Sequence, residues 1–216
     1  PPGFLIWCSL LQWIGGQGIV LMALTVMPLL RIGGMQLFYS ESLDLKEKML
    51  PRLRQTLATF FLVYFFLTVI CSVALWGAGL GVIDAICHGM TTIATGGFST
   101  WDKSIQAANS LPIQMILTVF MILGGSTFLL LTKMWTFKSL TFFRDQQVRL
   151  YFLLIGSISL LIGCWNMVRG GDQWYVSLVE SFFNVTSALT TTGYVSADYD
   201  EWGSLSLVVF FFLPFI

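Results

Sequence analysis

Long apolar runs, separated by two different kinds of polar segment, organise this chain. Four runs, about 4–30, 55–78, 111–132 and 149–168, reach or approach the length of an α-helix that crosses a bilayer, roughly 17–25 mostly apolar residues. Each predicts a membrane-spanning helix. A fifth run starts near Ser204 and continues to Ile216. Between the second and third runs lies 81–95, and between the fourth and fifth lies 173–192. Each of these holds a helix-like apolar stretch too short to span. The predicted order is one helix, then helix, short helix, polar loop and helix, then the same unit again.

The polar loops that follow the short stretches are near-copies of each other: TTIATGGFST (91–100) and SALTTTGYVSAD (187–198). Their Thr-Gly pairs, Thr95-Gly96 and Thr192-Gly193, stand 97 positions apart, and the acids that precede them, Asp84 and Glu180, stand 96 apart. Irregular backbone at membrane depth is tolerated only where it is buried in protein or lines a watery path. Rings of backbone carbonyls with neighbouring Thr hydroxyls are one way to replace the water around a monovalent cation, and Gly tolerates the backbone angles that turn successive carbonyls to one side. This reading makes Ile93, Ala94, Thr95, Gly96 and Gly97, with Thr190, Thr191, Thr192, Gly193 and Tyr194, a filter for a cation. Asp84 and Glu180 are then expected to begin the two short helices, where the helix dipole favours an acid and leaves the far end partly negative toward the loop. The competing reading is a pair of Thr/Gly-rich outer turns.

Composition narrows the class. The chain is 56% hydrophobic and 10% charged, against about a quarter charged in a soluble domain, and its mean hydropathy is +0.81. An all-α polytopic membrane protein is expected. Of the 11 basic residues, nine lie in the segments 31–54 and 133–149: Arg31, Lys46, Lys48, Arg52, Arg54, Lys133, Lys138, Arg144 and Arg149. The positive-inside rule places those linkers in the cytoplasm and the Thr-Gly loops outside. The outer side then carries Asp84, Asp102, Asp172, Glu180, Asp198, Asp200 and Glu201 against Lys103 and Arg169, a balance that concentrates cations. No basic, aromatic-interleaved run points to nucleic acid. Cys8, Cys71, Cys87 and Cys164 stand singly in apolar surroundings, which reads as four free thiols. The chain opens on Pro1-Pro2-Gly3, with no basic leader, and is expected to be an internal piece of a longer protein.

Other candidates are weaker. His88 has no ligand partners at metal spacing and is expected to make a structural hydrogen bond. An enzyme built on His88, Glu180 and Asp198 lacks a nucleophile, so no catalytic residue is assigned. Gly15-Gly16, Gly18 and Gly124-Gly125 are expected to allow close helix packing rather than to form a hinge. Asn184-Val185-Thr186 matches a glycosylation sequon but falls within the second short helix. The mixed-charge stretch 41–54 reads as a solvated linker or interfacial helix.

TTIATGGFST, with QWIGGQGI (12–19), Pro28-Leu29-Leu30 and GGMQLF (33–38), resembles the membrane subunit of the Trk/Ktr potassium-uptake systems over nearly the whole chain, closest to the TrkH type. The resemblance implies a pseudo-fourfold, potassium-channel-like fold of four helix–pore-helix–filter–helix repeats, each contributing one filter strand with a key glycine. Here those glycines would be Gly96 and Gly193. Residues 1–39 would hold the closing helix of the first repeat, 40–54 a cytoplasmic linker, 55–135 the second repeat, 136–148 a second linker, and 149–216 the third repeat, cut within its last helix. The third repeat's gating break would begin at Leu213-Pro214. The resemblance further implies potassium as the transported ion with no cofactor in this chain, a multi-pass protein of the cell (inner) membrane, a homodimer, and a cytoplasmic nucleotide-binding regulatory subunit of the TrkA/KtrA type. An alternative is a complete two-repeat cation channel subunit that forms its pore by dimerising.

Overall fold

The computed structural model describes residues 1–30, 44–126, 146–168, 174–198 and 202–215. Its elements follow the predicted order: α1 (Pro2–Leu30), α2 (Asp44–Gly77), α3 (Val82–Ile93), a 3₁₀ turn (Ser104–Ala108), α4 (Leu111–Gly125), α5 (Gln146–Val168), α6 (Trp174–Leu189), α7 (Ser204–Phe212) and a closing 3₁₀ turn (Leu213–Phe215). There is no strand among the described residues. Leu57–Gly77 of α2 and all of α5 are long and apolar enough to cross a membrane. The 12-residue α3 is about 18 Å long, well short of a hydrocarbon core of about 30 Å.

Polarity is inverted relative to a water-soluble bundle. α2 turns Phe61, Leu62, Phe65, Phe66, Val69, Val73 and Trp76 outward, while Thr68, Gln114, Thr118, Ser126 and Ser159 are buried between helices. So much exposed apolar surface would be unstable in water; against lipid it is the favourable arrangement. The interior hydroxyls mostly bond their own helix one turn back, as Thr68 Oγ1 to the Tyr64 carbonyl (2.8 Å) and Thr118 Oγ1 to the Gln114 carbonyl (2.7 Å), so they cost little where no water is available.

The short helices sit inside this frame. α3 packs on α1, α2 and α4, and α6 packs on α4 and α5. One apolar core runs from Tyr64, Cys71 and Leu75 of α2 through Ile93, Leu117 and Met121 to Phe183 of α6 and Tyr194 beyond it. Glycine lets the helices approach the loops. A Cβ on Gly124 would come within 3.0 Å of the Ile93 carbonyl oxygen, and one on Gly125 within 2.8 Å of the Thr190 side chain. Both are packing positions, as is Gly16 against Ala94, whereas Gly15 and Gly18 have nothing within 4 Å.

Two expectations need correction. The stretch 44–54 is not a separate linker: the backbone is already helical from Asp44 and continues into the spanning part of α2. Leu45 to Leu50 are strong helix formers, and no glycine stands between them and the apolar run. The linker calls over 31–43 and 127–145 lie outside the described residues. The second correction concerns Glu180. Asp84 lies in the first turn of α3, but α6 starts at Trp174 and has no acid in its first turn. Gly79, with φ +104, and the extended Gly81 stop the chain before α3. Trp174-Tyr175-Val176-Ser177 contains no such break, so α6 begins farther ahead of its acid. The dipole argument therefore holds for Asp84 and fails for Glu180.

Candidate ion pathway

Each short helix ends by turning its backbone back on itself, and the two turns share three matching bonds, to which the second adds the Gly193 N–H to the Ser187 carbonyl (3.3 Å). In the first, the Ala94 N–H donates to the Met90 carbonyl (3.1 Å), Thr95 to Thr92 (3.1 Å) and Gly96 to Thr91 (2.8 Å). In the second, Thr190 donates to Thr186 (2.9 Å), Thr191 to Ala188 (3.1 Å) and Thr192 to Ser187 (2.9 Å). Left-handed backbone falls at Thr95 (φ +49) and Gly97 (φ +70), and at Thr191 (φ +56) and Gly193 (φ +85). All of these pairs are 96 apart. The Thr-Gly doublets, 97 apart, are therefore not equivalent. Gly97, not Gly96, is the counterpart of Gly193, and Thr192 is the counterpart of Gly96. The φ pattern decides this, because a left-handed residue every second position is what reverses successive peptide planes.

The loops are pinned from behind in the same way. The Thr91 hydroxyl donates to the Phe98 carbonyl (2.9 Å), and the Ser187 hydroxyl to the Tyr194 carbonyl (2.7 Å). Three residues earlier in each helix stands a second anchor. His88 Nδ1 faces the Asp84 carbonyl at 2.8 Å and Nε2 faces Ser99 Oγ at 3.0 Å. A carbonyl only accepts, so Nδ1 carries the proton and Nε2 accepts from the serine. Asn184 Nδ2 donates to the Glu180 carbonyl and to Ser196 Oγ, both at 2.9 Å, and Asn184 Oδ1 accepts from the Ser196 N–H at 3.2 Å. With one ring nitrogen donating and the other accepting, the imidazole does the work of an amide. His88→Asn in the full-length protein is expected to leave thermal stability near that of the parent, whereas His88→Leu, which leaves Ser99 only its bond from the Trp101 N–H, is expected to cost about 1 kcal/mol, the net value of one hydrogen bond. Equal melting of the two variants would refute the anchor.

Asp84 itself accepts from Thr100 Oγ1 at 2.7 Å, so the acid at the start of α3 also fastens the loop beyond the turn. The catalytic grouping is not formed: the polar partners of His88 are Asp84 and Ser99, and neither Glu180 nor Asp198 is among them. The four cysteines are free thiols.

The loops also touch each other. Gly97 lies so close to the Thr192 carbonyl oxygen that a Cβ there would overlap it. Tyr194, almost wholly buried, crosses from the second loop to the base of the first, with its hydroxyl 2.5 Å from Thr91 Oγ1 and 3.3 Å from Thr92 Oγ1. The 3₁₀ turn after the first loop adds two further links, the Gln106 N–H to the Val195 carbonyl (3.1 Å) and the Val195 N–H to Ser104 Oγ (3.2 Å). Among the described residues no donor reaches the carbonyls of Thr95, Gly97, Thr192 or Gly193. Thr192 is buried, Thr95 and Gly97 are half-buried and Gly193 is exposed; all four carbonyls are left free for another partner.

The sequence matches, over residues 1–216, the family model described as TrkH, cation transport protein. The chain belongs to the TrkH family. It is 35% identical over 215 residues to the Trk system potassium uptake protein TrkI of Halomonas elongata, covering 99% of this chain and 44% of that protein. It is 36% identical over 209 residues to TrkH of Escherichia coli K12, covering 94% of this chain and 43% of that protein. The crystal structure of the potassium transporter TrkH from Vibrio parahaemolyticus superposes with a TM-score of 0.83 at 29% identity, over 99% of this chain and 43% of that one. The chain thus spans less than half the length of these relatives. The family is one of transport proteins, not of enzymes, and the all-α membrane fold is the one expected for it.

The residues that reasoning from the sequence passed over are those behind the loops, Gln12, Thr91, Ser187 and Asn184, whereas His88 makes the structural hydrogen bonds expected of it. A signal for most of them was present. Aligning the copies on Asp84 and Glu180 sets Thr91 on Ser187, His88 on Asn184 and Phe98 on Tyr194.

Proposed function

We propose that this chain is part of a potassium-translocating membrane subunit, in which the carbonyls of residues 93–97 and 190–194 take the place of water around the ion. The observation that carries the reading is the pair of matched loops, touching at Gly97 and Thr192, with four carbonyls left without donors. Free carbonyl oxygens held by a rigid backing are what ion dehydration requires. The names of the relatives, potassium uptake proteins, supply the ion.

In this reading α1 closes one repeat, 55–135 forms the next and 149–216 most of a third. The loops face outward, and the basic segments 31–54 and 133–149 face the cytoplasm of a cell whose inner membrane holds the protein. There they meet a nucleotide-binding regulatory subunit of the TrkA/KtrA type, and the full subunit pairs as a homodimer. The greater length of the relatives favours four repeats in one polypeptide over a two-repeat channel that dimerises.

Rubidium uptake into potassium-starved cells tests the function. Cells expressing the full-length gene are expected to accumulate rubidium well above the empty-vector level, with tenfold excess sodium competing weakly. No uptake above background, with the protein present in the membrane, would overturn the proposal.

A further inference from the structure

One face of α1 lies directly on the first loop. A Cβ on Gly16 would meet the Ala94 Cβ and carbonyl oxygen at 3.2 Å. One turn earlier on the same face stands Gln12, whose Nε2 donates to the Gly96 carbonyl. Gln12 also fills the volume that a side chain on Gly96 would take, since a Cβ there would overlap the Gln12 amide. The other end of that amide is poorly served: Oε1 is shut away from solvent with no hydrogen-bond partner. An unpaired buried acceptor is costly, so stability alone does not account for this glutamine.

The second loop needs no such helper. Thr192 stands at the position of Gly96, and its hydroxyl lies 2.7 Å from Thr190 Oγ1, which donates to the Thr186 carbonyl at 2.8 Å. The loop carries its own polar prop. In the first loop those two positions are Ala94 and Gly96, and neither has a hydroxyl to offer. The polar group reaching this place arrives from 84 positions away in the chain.

We propose that Gln12 is a positioning residue for ion selectivity: its amide ties the first loop to α1 at the Gly96 carbonyl, at the level where the second loop is braced from within by the Thr190–Thr192 hydroxyl pair. The proposal rests on the filter reading above. The Gly96 carbonyl, tied to an N–H, gives the first loop a weaker oxygen at that level than a free carbonyl would be. Without Gln12, Gly96 can turn either way, and the loop loses its fixed spacing to the ion.

The test is the rubidium-over-sodium uptake ratio of the full-length protein carrying Gln12→Ala, Gln12→Met, Gly96→Thr, or Gln12→Ala with Gly96→Thr, beside Gly97→Ala as a variant of the filter itself. Gln12→Ala, Gln12→Met and Gly96→Thr are each expected to lower the ratio about 3- to 10-fold, the range of one hydrogen bond. Gln12→Met keeps the side-chain volume, so its loss cannot be laid to a void. Both single changes remove the same contact, so the double variant is expected to fall no further than the worse of the two singles. Unchanged ratios in both Gln12 variants, with a changed ratio in Gly97→Ala, would overturn the role of Gln12 and leave the filter standing. Single losses that simply multiply in the double variant would overturn it equally, reducing Gln12 to packing. No change in any variant, Gly97→Ala included, would remove the filter reading itself.

Discussion

Gly97→Ala in the full-length protein is expected to abolish selective uptake, while Gly193→Ala and Gly96→Ala only weaken it. All three place a methyl group in or beside a loop, and the geometry ranks them. Gly97 has φ +70 and Gly193 φ +85, so a side chain at either costs about 1–2 kcal/mol in a left-handed backbone. At Gly193 nothing lies within 4 Å of the added methyl, and that strain is the whole cost, roughly a factor of ten in the population of the working loop. At Gly97 the methyl also overlaps the Thr192 carbonyl oxygen. That atom is backbone and cannot swing away, so both loops must separate. At Gly96 the methyl meets the end of the Gln12 side chain, which can move at the loss of one hydrogen bond. The measurement is rubidium and sodium uptake at matched membrane levels. If Gly96→Ala proved more damaging than Gly97→Ala, the 96-residue register and the pairing of Gly97 with Gly193 would be wrong.

That register is also where the sequence and the folded chain part company. Helix lengths and order were legible because they depend on run length and punctuation. A largely apolar 12-residue stretch bounded by Gly81 and a Thr-Gly run has no other way to satisfy its backbone in a membrane than as a short helix backed by protein. The start of α6 was harder, because Trp174 to Ser177 carry no stop and the helix simply extends. The loop register was misleading for a physical reason. Thr-Gly draws the eye as a doublet, but the backbone recognises only which residues take positive φ, and Thr95 and Thr191 do so without being glycine. The spacing of the acids, 96, was the sounder guide, since it reports helical phase rather than residue type. Tyr194 was placed in the filter by its neighbours in sequence. Its side chain turns out to serve the other loop, a contact spanning 103 positions that no local pattern encodes. Gln12 was invisible for the same reason.

Tyr194 is expected to be the second most sensitive position, and its two parts can be measured separately. Removing the ring as Tyr194→Ala empties a site with about 2% residual exposure between the loops and is expected to cost about 3–5 kcal/mol. In the membrane this should appear as protein that is poorly retained or that has lost ion discrimination. Tyr194→Phe keeps the ring, its place beside Cys71 and Phe183 in the core, and its offset to His88 (centroids 6.0 Å apart). It deletes only the hydroxyl that meets Thr91 Oγ1 at 2.5 Å. Thr91 retains the Cys87 and Phe98 carbonyls as acceptors (3.0 and 2.9 Å), so no buried group is stranded, and the loss is expected to be about 1 kcal/mol. What distinguishes a buckle between loops from ordinary core filling is its coupling to Thr91. Tyr194→Phe and Thr91→Val each remove one side of the same bond, so together they should cost less than the sum of their separate effects, by about 1 kcal/mol in the melting of the purified full-length protein. The same pair should show the same shortfall in the rubidium-over-sodium ratio, because the bond ties the back of one loop to the aromatic of the next. Strict additivity in both measurements would mean that the hydroxyls merely lie near each other, and that the two loops are held together by Gly97 and the 3₁₀ turn alone.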